Sequence, residues 1–248
     1  MKLFVLFILF FSFCFQKYSC GQQKDSIASE PPIIKYVTVD STNGIAILHW
    51  TPSISQDVLC YVIYKYMWNN WVPVDTVWGS TSNYYKNINS QADLISESYS
   101  IVAMDSSNNF STLAPFHTSI YLSDTTVNST TIKLLWNHYV GWDTIDHYNV
   151  YHKTPNSNNY IIRTQLPATL DTYYYFITLP DSQYCYYIEA VRLDGRRSQS
   201  ERSCNFAVGI NDKESNENKN AFSICLDHTN DRILINNHRK NNICQYCI

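Results

Sequence analysis

The segment "WNHYVGWDTIDHYNVYHK", residues 136–153, carries two tryptophans six residues apart and three tyrosines. From Ile145 to Lys153 the residues alternate in character, which is the period of a half-buried β-strand. A catalytic pocket, a sugar-binding platform and a structural core are three uses that a chain has for so many aromatic side chains. The surrounding sequence favours the core.

The neighbourhood of this segment occurs twice in the chain. Three pairs of stretches correspond: "GIAILHW" (44–50) with "TTIKLLW" (130–136), "CYVIYKY" (60–66) with "HYNVYHK" (147–153), and "YSIVAMD" (99–105) with "YYIEAVR" (186–192). The corresponding residues are 86 or 87 positions apart in all three pairs. A repeat of about 87 residues is too long for a solenoid unit and has the length of a small β-sandwich.

Each copy is predicted to be a series of short strands. Period-two alternation places Leu48 and Trp50 on one face of a strand, and Trp136 on the matching face in the second copy. Polar clusters such as "DSSNN" (105–109) separate the strands, and no convincing amphipathic helix of ten residues is present. Fold class is therefore predicted to be all-β.

The aromatic residues of the opening segment then have structural places. We expect Trp136 to be buried between two sheets, with Tyr148 and Val150 across from it. A buried aromatic side chain removes about 150–250 Å² from water, which short sandwiches need. Trp142 lies in the loop before the strand and is a candidate cap for the open end of the sandwich.

These stretches resemble the fibronectin type III domain. The tryptophan at the end of the second strand, the Y-x-[IV]-Y of the third and the Y-x-I-x-A of the sixth all match. The resemblance covers about residues 33–208. It implies two tandem immunoglobulin-like β-sandwiches, at 33–118 and 119–208.

The second copy is similar, more narrowly, to repeats in exported and gliding-associated proteins of Bacteroidota. In those repeats W-N-x-Y-x-G-W precedes the Y-x-[IV]-Y strand, as it does at residues 136–142. The first copy has "WTPSISQDVLCYVIY" instead. The resemblance implies a protein that is secreted or lies on the cell surface of a Gram-negative bacterium.

The first 21 residues have the pattern of a signal peptide, with Lys2 before an apolar run that is too short for a membrane span. We expect cleavage before Gln22, and the alternative is a lipid anchor at Cys20. Residues 22–32 are a linker. No later segment is apolar enough to span a bilayer.

Cleavage changes the net charge from −3 to −5, since it removes Lys2 and Lys17. A mildly acidic chain without a basic cluster argues against nucleic acid as a partner.

The cysteines of the second copy predict a disulfide. Export would place the chain where disulfides form. Cys185 and Cys204 lie ten residues before and nine after Gly195, the expected turn between two consecutive strands, so they should stand opposite each other. The alternatives are two free thiols or a register that differs by one residue. Cys60 has no second cysteine in its copy and is expected to remain a lone thiol.

The sequence predicts no catalytic residue, no cofactor site and no metal site. No G-x-S-x-G, H-E-x-x-H or phosphate-binding glycine-rich loop occurs. Asp143 and Asp146 lie close together, but their segment is the turn into a strand, where carboxylates serve as turn residues. The sequence therefore predicts that the protein is not an enzyme.

A ligand platform is the remaining candidate site. "YMWNNWVPVDTVWGS" (66–80) carries Trp68, Trp71 and Trp78. A hairpin turning at Asn69-Asn70 would place some of these side chains on the solvent face. Aromatic platforms bind sugar rings, whereas cross-strand pairing and packing between domains are structural uses of the same residues.

The last 40 residues differ from the rest. Residues 209–220 are a polar linker. "AFSICLDHTNDRILINN" (221–237) resembles the C-terminal sorting domain of type IX secretion, with Cys225-Leu226-Asp227-His228 in place of Tyr-Pro-Asn-Pro. We expect residues 221–248 to be a truncated or degenerate sorting tail, disordered or poorly folded. A zinc site at Cys225, His228, Cys244 and Cys247 is the alternative.

Two functions agree with these observations. The first is a non-catalytic, exported interaction or adhesion module that binds an extracellular protein or glycan. The alternative is a carbohydrate-binding accessory module of a glycan-degrading system, with Trp68, Trp71 or Trp78 as the platform. Fold resemblance alone does not identify the ligand.

Overall fold

The computed structural model describes residues 26–128, 130–177, 182–206, 222–227, 232–237 and 242–247. All regular secondary structure in these ranges is β-strand. Within the same ranges, no helix is long and apolar enough to cross a membrane.

The first repeat copy folds into a β-sandwich, called sandwich 1. Its strands are β1 (Ile33–Asp40), β2 (Ile45–Thr51), β3 (Val58–Met67), β4 (Asn70–Trp78), β5 (Tyr84–Lys86), β6 (Ser98–Asp105) and β7 (His117–Thr118). One sheet has the order β1-β2-β5 and the other β4-β3-β6-β7, and all neighbours are antiparallel.

The second copy folds into sandwich 2. Its strands are β8 (Leu122–Asn128), β9 (Thr131–Trp136), β10 (His147–Lys153), β11 (Ile161–Pro167), β12 (Thr172–Phe176), β13 (Gln183–Val191), β14 (Arg197–Gln199) and β15 (Ser203–Phe206). The sheets have the orders β12-β9-β8 and β11-β10-β13-β14, and β15 continues the edge beside β13. Two sandwiches with the same strand order confirm the predicted fibronectin type III-like fold.

The core of each sandwich is formed by alternate residues of the strands. In sandwich 1, Trp50 packs edge-on against Tyr61, with ring centroids 5.6 Å apart. In sandwich 2, Trp136 packs edge-on against Tyr148 at 5.8 Å, which confirms its predicted place. The indole N–H of both tryptophans is buried without a hydrogen-bond partner. These side chains therefore stabilise the fold through their apolar area and not through a polar contact.

The predicted disulfide is confirmed, since Cys185 and Cys204 are bonded and lie opposite each other in the β13–β15 pairing. Cys60 is a buried free thiol. The disulfide therefore ties the edge strand β15 to the centre of its sheet.

A third unit of the chain comprises β16 (Phe222–Asp227), β17 (Arg232–Asn237) and β18 (Asn242–Cys247), which form an antiparallel sheet in the order β16-β17-β18. We expected this part of the chain to be disordered or poorly folded, and in the structure its described residues form the three strands of this sheet. The zinc-site hypothesis involves His228, which lies outside the described residues.

Candidate interaction surface and the joint between the sandwiches

The β3–β4 hairpin turns at Trp68-Asn69, one residue earlier than predicted. Both residues have positive φ, 50° and 63°, and Met67 pairs with Asn70. Two positive φ angles define a type I′ turn, whose twist matches the flanking strands. The predicted turn at Asn69-Asn70 was wrong. Asparagine favours positive φ and tryptophan does not, so residue preference alone places the turn one residue too late. As a result, Trp68 stands at the tip of the hairpin with 83% of its surface exposed.

Trp71 lies in an aromatic cluster behind the tip. Its ring is 5.3 Å from the ring of Tyr66, its cross-strand partner, and 5.7 Å from the ring of Phe116. Tyr66 and Phe116 are each nearly half exposed. The cluster thus lies on the outer face of the sheet, pointing away from the core.

Trp78 lies on the same outer face, at the other end of β4. It is opposite Cys60, whereas Trp71 is opposite Tyr66. Those partners are six residues apart in β3, which corresponds to about 20 Å along a strand. Trp78 is 64% exposed. The three tryptophans proposed as a platform therefore lie at different places along one hairpin: Trp68 at the tip, Trp71 in the aromatic cluster and Trp78 at the far end of β4.

We call this surface the aromatic face and define it by Tyr64, Tyr66, Trp71, Trp78 and Phe116. The residues beneath these rings are apolar, namely Cys60, Val62 and Val102. They alternate with core residues and therefore lie on the outer face of the sheet. Cys60 and Val102 are nevertheless buried. None of these eight side chains is charged.

The centre of the equivalent face of sandwich 2 is polar. Val62 pairs with Val102 in sandwich 1, and the corresponding pair in sandwich 2 is Asn149 with Glu189. The Oε1 of Glu189 accepts hydrogen bonds from Asn149 Nδ2 at 3.0 Å, Tyr151 Oη at 3.3 Å and Arg197 NH1 at 2.8 Å. This carboxylate is therefore satisfied by its own neighbours.

A second constructed region is the joint between the sandwiches, where β14 of sandwich 2 lies along β1 of sandwich 1. Ser198 Oγ donates to the Val37 carbonyl at 2.6 Å. The Gln199 backbone N–H donates to Thr38 Oγ1 at 2.9 Å, and its side chain donates to the Val39 carbonyl at 3.2 Å. These bonds satisfy the outer edge of β1, which would otherwise be an unpaired strand edge.

The W-N-x-Y-x-G-W motif supplies the other half of the joint. Trp142 Nε1 donates to the Lys35 carbonyl at 2.7 Å, and the indole packs at a tilt of 39° against Tyr139, with ring centroids 4.2 Å apart. The hydroxyl of Tyr139 accepts from the Val37 backbone N–H at 3.0 Å. Trp142 does pack on the core of sandwich 2, as a cap would, but it also fastens sandwich 1.

His117, at the end of sandwich 1, completes the joint. Its Nδ1 lies 2.7 Å from the Tyr139 hydroxyl. Gly141 has φ +120°, and a Cβ there would come within 2.2 Å of the imidazole, so the position requires glycine. Burial, together with smaller contributions from the charges of Arg196 and Arg192, lowers the pKa of His117 to about 4.

The joint was missed by sequence reasoning. Its parts are far apart in the chain, since the bond from Ser198 to Val37 spans 161 residues. One signal in the sequence could have indicated the joint. The chain has only six glycines, and Gly141 lies between two aromatic residues of a motif that the first copy lacks.

Several other titratable groups of the described residues have structural partners. Asp143 bonds Arg192 at 2.8 Å, and Asp146 bonds His147 at 2.8 Å, so these two carboxylates engage different partners. His152 bonds the Tyr175 hydroxyl at 2.7 Å. Lys65 and Glu97 form a buried ion pair. In the described ranges, no group of three or more His, Cys, Asp or Glu side chains could hold a metal ion.

Comparison with known proteins gives likenesses of low similarity. No family model matches the chain, and no curated protein matches it. A central fibronectin III array of RIM-binding protein is 12% identical, with 86% of this chain and 81% of that chain covered and a TM-score of 0.31. The FN1–FN3 domains of chicken CNTN1 are 15% identical over 72% of this chain and 67% of that chain, with a TM-score of 0.29.

A pectate lyase, Pel3 from Pectobacterium carotovorum, is also similar in part. It is 15% identical over 42% of this chain, with a TM-score of 0.32, and this chain spans 30% of that lyase. These scores carry no argument about what the present chain does.

Proposed function

We propose that the chain is a non-catalytic interaction or adhesion module that acts on the surface of, or outside, a Gram-negative bacterial cell. The observation that carries the proposal is the aromatic face, an exposed and uncharged surface on one of two sandwiches joined by a specific set of hydrogen bonds. Exposed aromatic surface of this kind is typical of binding sites.

The joint supports this proposal because it holds the aromatic face in a constant orientation relative to sandwich 2. Hydrogen bonds from Ser198, Gln199 and Trp142 all end on β1. A binding partner then meets a preorganised surface and loses less entropy on association.

Export is the second part of the proposal. The signal-peptide pattern of residues 1–21 and the Cys185–Cys204 disulfide both fit an oxidising compartment. The likeness of residues 136–142 to Bacteroidota repeats, and of residues 221–237 to a type IX sorting tail, suggests the cell envelope of that group. Lipid attachment at Cys20 is the alternative route to the surface.

A cell-surface experiment tests both parts. Intact producing cells are treated with protease, and the protein is detected before and after; an exported surface protein is digested, while a protein retained inside is protected. Purified protein is then added back to deletion cells or to their shed polysaccharide and protein. Saturable binding supports an interaction module, and its absence together with full protection inside the cell would overturn the proposal.

A carbohydrate-binding accessory role is the second candidate function. The observation that favours it is the placement of Trp71 and Trp78 along a single hairpin of the aromatic face. In that role the module would hold a catalytic partner close to its polysaccharide.

A further inference from the structure

The fold does not require this particular set of exposed rings, because sandwich 2 has the same fold and a different outer face. Tyr64 pairs with Ser100 in sandwich 1, and the corresponding residues in sandwich 2 are Tyr151 and Tyr187. Those two tyrosines stack on each other at 4.3 Å with an interplanar angle of 8°. Sandwich 2 therefore covers this face with its own rings and a hydrogen-bonded carboxylate, while sandwich 1 leaves rings open to solvent.

The open rings form a strip along the hairpin. Trp78 marks one end, Trp71 and its cross-strand partner Tyr66 mark the other, and the side chain of Tyr64 lies between them on β3. The strip is about 20 Å long and follows the strand direction. Trp68, in the type I′ turn, adds an exposed indole beyond Trp71. A strip of this length suits a linear ligand with repeated flat units.

The chemistry of the strip narrows the ligand further. The side chains of the strip are indole and phenol rings, with hydroxyls on Tyr64 and Tyr66 and amides on Asn69 and Asn70 at the tip. The carboxylate of β4, Asp75, is exposed, but it is opposite the core residue Ile63 and bonds Tyr85 of the other sheet, so it does not belong to the strip. The strip therefore offers no cation for an anionic ligand such as a nucleic acid, an acidic polysaccharide or a phospholipid headgroup.

A pyranose ring fits these features. Its C–H face is apolar and slightly positive, so it packs on the negative face of an aromatic ring, while its rim of hydroxyls bonds to uncharged hydroxyls and amides. We propose that the aromatic face binds a neutral, linear polysaccharide that lies along β3 and β4, with Trp78 and Trp71 under sugar rings several units apart. This inference rests on the proposed function of an extracellular binding module.

Strain at the tip agrees with this assignment. A tryptophan at positive φ is rare, and conformations of this kind concentrate at functional sites. An asparagine would occupy the first turn position at less cost, yet the chain has Trp68 there with its ring exposed. In the bound state Trp68 contacts the sugar that follows the one on Trp71.

The test uses the full exported chain and a panel of neutral polysaccharides, namely laminarin, galactomannan and dextran, with alginate and polygalacturonate as acidic counterparts. Affinity electrophoresis ranks the panel, and calorimetry with oligosaccharides of two to six units measures affinity. We expect binding to one neutral polymer that strengthens with chain length. Trp71→Ala and Trp78→Ala should each weaken binding by about tenfold, the effect of losing one ring contact.

Matched controls separate the face from the fold. Tyr64→Ala should weaken binding, whereas Tyr151→Ala, at the same position of sandwich 2, should change affinity by less than about twofold. Tyr64→Phe keeps the ring and should retain most of the affinity. It remains informative about the ring contact if Tyr64→Ala fails to fold. Unfolding curves verify that each variant is folded.

The outcomes are distinct. Absence of binding to every neutral polymer, preference for an acidic polymer, or binding that survives the double Trp71→Ala, Trp78→Ala change would overturn the inference. If that double variant abolishes self-association or protein binding instead, the interaction function stands and the ligand assignment fails. If cell-surface binding is absent as well, both proposals fail.

Discussion

The two sandwiches share a strand order and a core but differ on the outside of the same sheet. Val62 and Val102 in sandwich 1 occupy the places of Asn149 and Glu189 in sandwich 2. The inner faces are alike, since both contain a tryptophan packed edge-on against a tyrosine. The fold therefore depends on the inner alternation, and the outer face is free to vary with function.

The sandwiches also differ at one end of their cores. In sandwich 1, Lys65 meets Glu97, which also accepts a hydrogen bond from the Tyr99 hydroxyl at 2.6 Å. In sandwich 2 the residue that corresponds to Lys65 is His152, which bonds the Tyr175 hydroxyl. One end is closed by charge and the other by aromatic rings and hydroxyls, so the two should respond differently to substitution and to pH.

The largest effect should come from emptying either core. Trp50→Ala and Trp136→Ala should each lower the free energy of unfolding by about 3–5 kcal/mol, because a large buried side chain leaves a cavity. Urea unfolding monitored by circular dichroism measures this loss. Trp50→Phe and Trp136→Phe are the controls and should cost less, since they keep a ring and remove an unpaired indole N–H. Unchanged unfolding midpoints in both alanine variants would refute the core assignment.

Breaking the buried ion pair of sandwich 1 should come next. Lys65→Met should cost about 3 kcal/mol at pH 7, because it leaves the carboxylate of Glu97 buried without its cation. His152→Phe is the matched change in sandwich 2 and should cost about 1 kcal/mol, the usual value of a neutral hydrogen bond. Urea unfolding of both variants measures the difference, and equal losses would contradict the contrast between the two core ends.

The effect of Lys65→Met should depend on pH. Burial alone would raise the pKa of Glu97, but hydrogen bonds from Lys65, Ser90, Tyr99 and the Gln91 backbone outweigh burial and lower that pKa below its usual 4.5. The stabilisation by ionised Glu97 is therefore present above pH 4.5 and is lost as the pH falls below it. The difference between wild type and Lys65→Met should shrink in that acidic range.

The edges of the two sheets give the third comparison. Cys185 is disulfide-bonded to Cys204, and the matching pair in sandwich 1 is Ser98 with Thr118, whose hydroxyls are 2.7 Å apart. Replacing both cysteines by serine should cost about 3 kcal/mol, since the disulfide closes a loop of about twenty residues. Thr118→Val should cost about 1 kcal/mol. Thermal unfolding measures both, and a serine variant as stable as the wild type would show that the disulfide adds nothing to the fold.

The disulfide also shows how far the sequence could be used for prediction. Cys185 and Cys204 are nearly the same number of residues from Gly195, and this spacing predicted the disulfide correctly. However, β14 pairs Glu189 with Gln199, and that register, if continued, would bring Ser203 opposite Cys185. One extra residue between β14 and β15 moves Cys204 into place. Such an irregularity between two strands has no clear signal in the sequence.

The fold was predictable because the repeat gave the same strand pattern twice. The aromatic face was predictable only in part: the three tryptophans were identified, but Tyr64, Tyr66 and Phe116 were not, and the turn was displaced by one residue. Phe116 reaches Trp71 from a coil beyond β6, and such a contact depends on tertiary packing. The joint depends on contacts between the two copies, which the pattern of either copy alone does not contain.

The smallest predicted effect concerns the joint, which connects the two regions under comparison. The Tyr139 oxygen accepts from the Val37 N–H, and its own proton can then be donated to His117 Nδ1 only while the imidazole is neutral. Folding lowers the pKa of His117 from 6.5 to about 4, mainly through burial, so the joint favours the neutral form. The stabilisation is present above pH 6.5 and is lost as the pH falls from 6.5 towards 4. Between pH 7.5 and 5.5 the free energy of unfolding should fall by about 1 kcal/mol through this group.

His117→Asn keeps a polar atom near the Nδ1 position but does not titrate, so its unfolding free energy should change less over the same range. Urea unfolding at both pH values measures the difference between the two proteins. An identical pH dependence in wild type and His117→Asn would show that the joint does not depend on the neutral imidazole, and that the β1–β14 bonds, Trp142 and the bond from Val37 to Tyr139 hold the two sandwiches together.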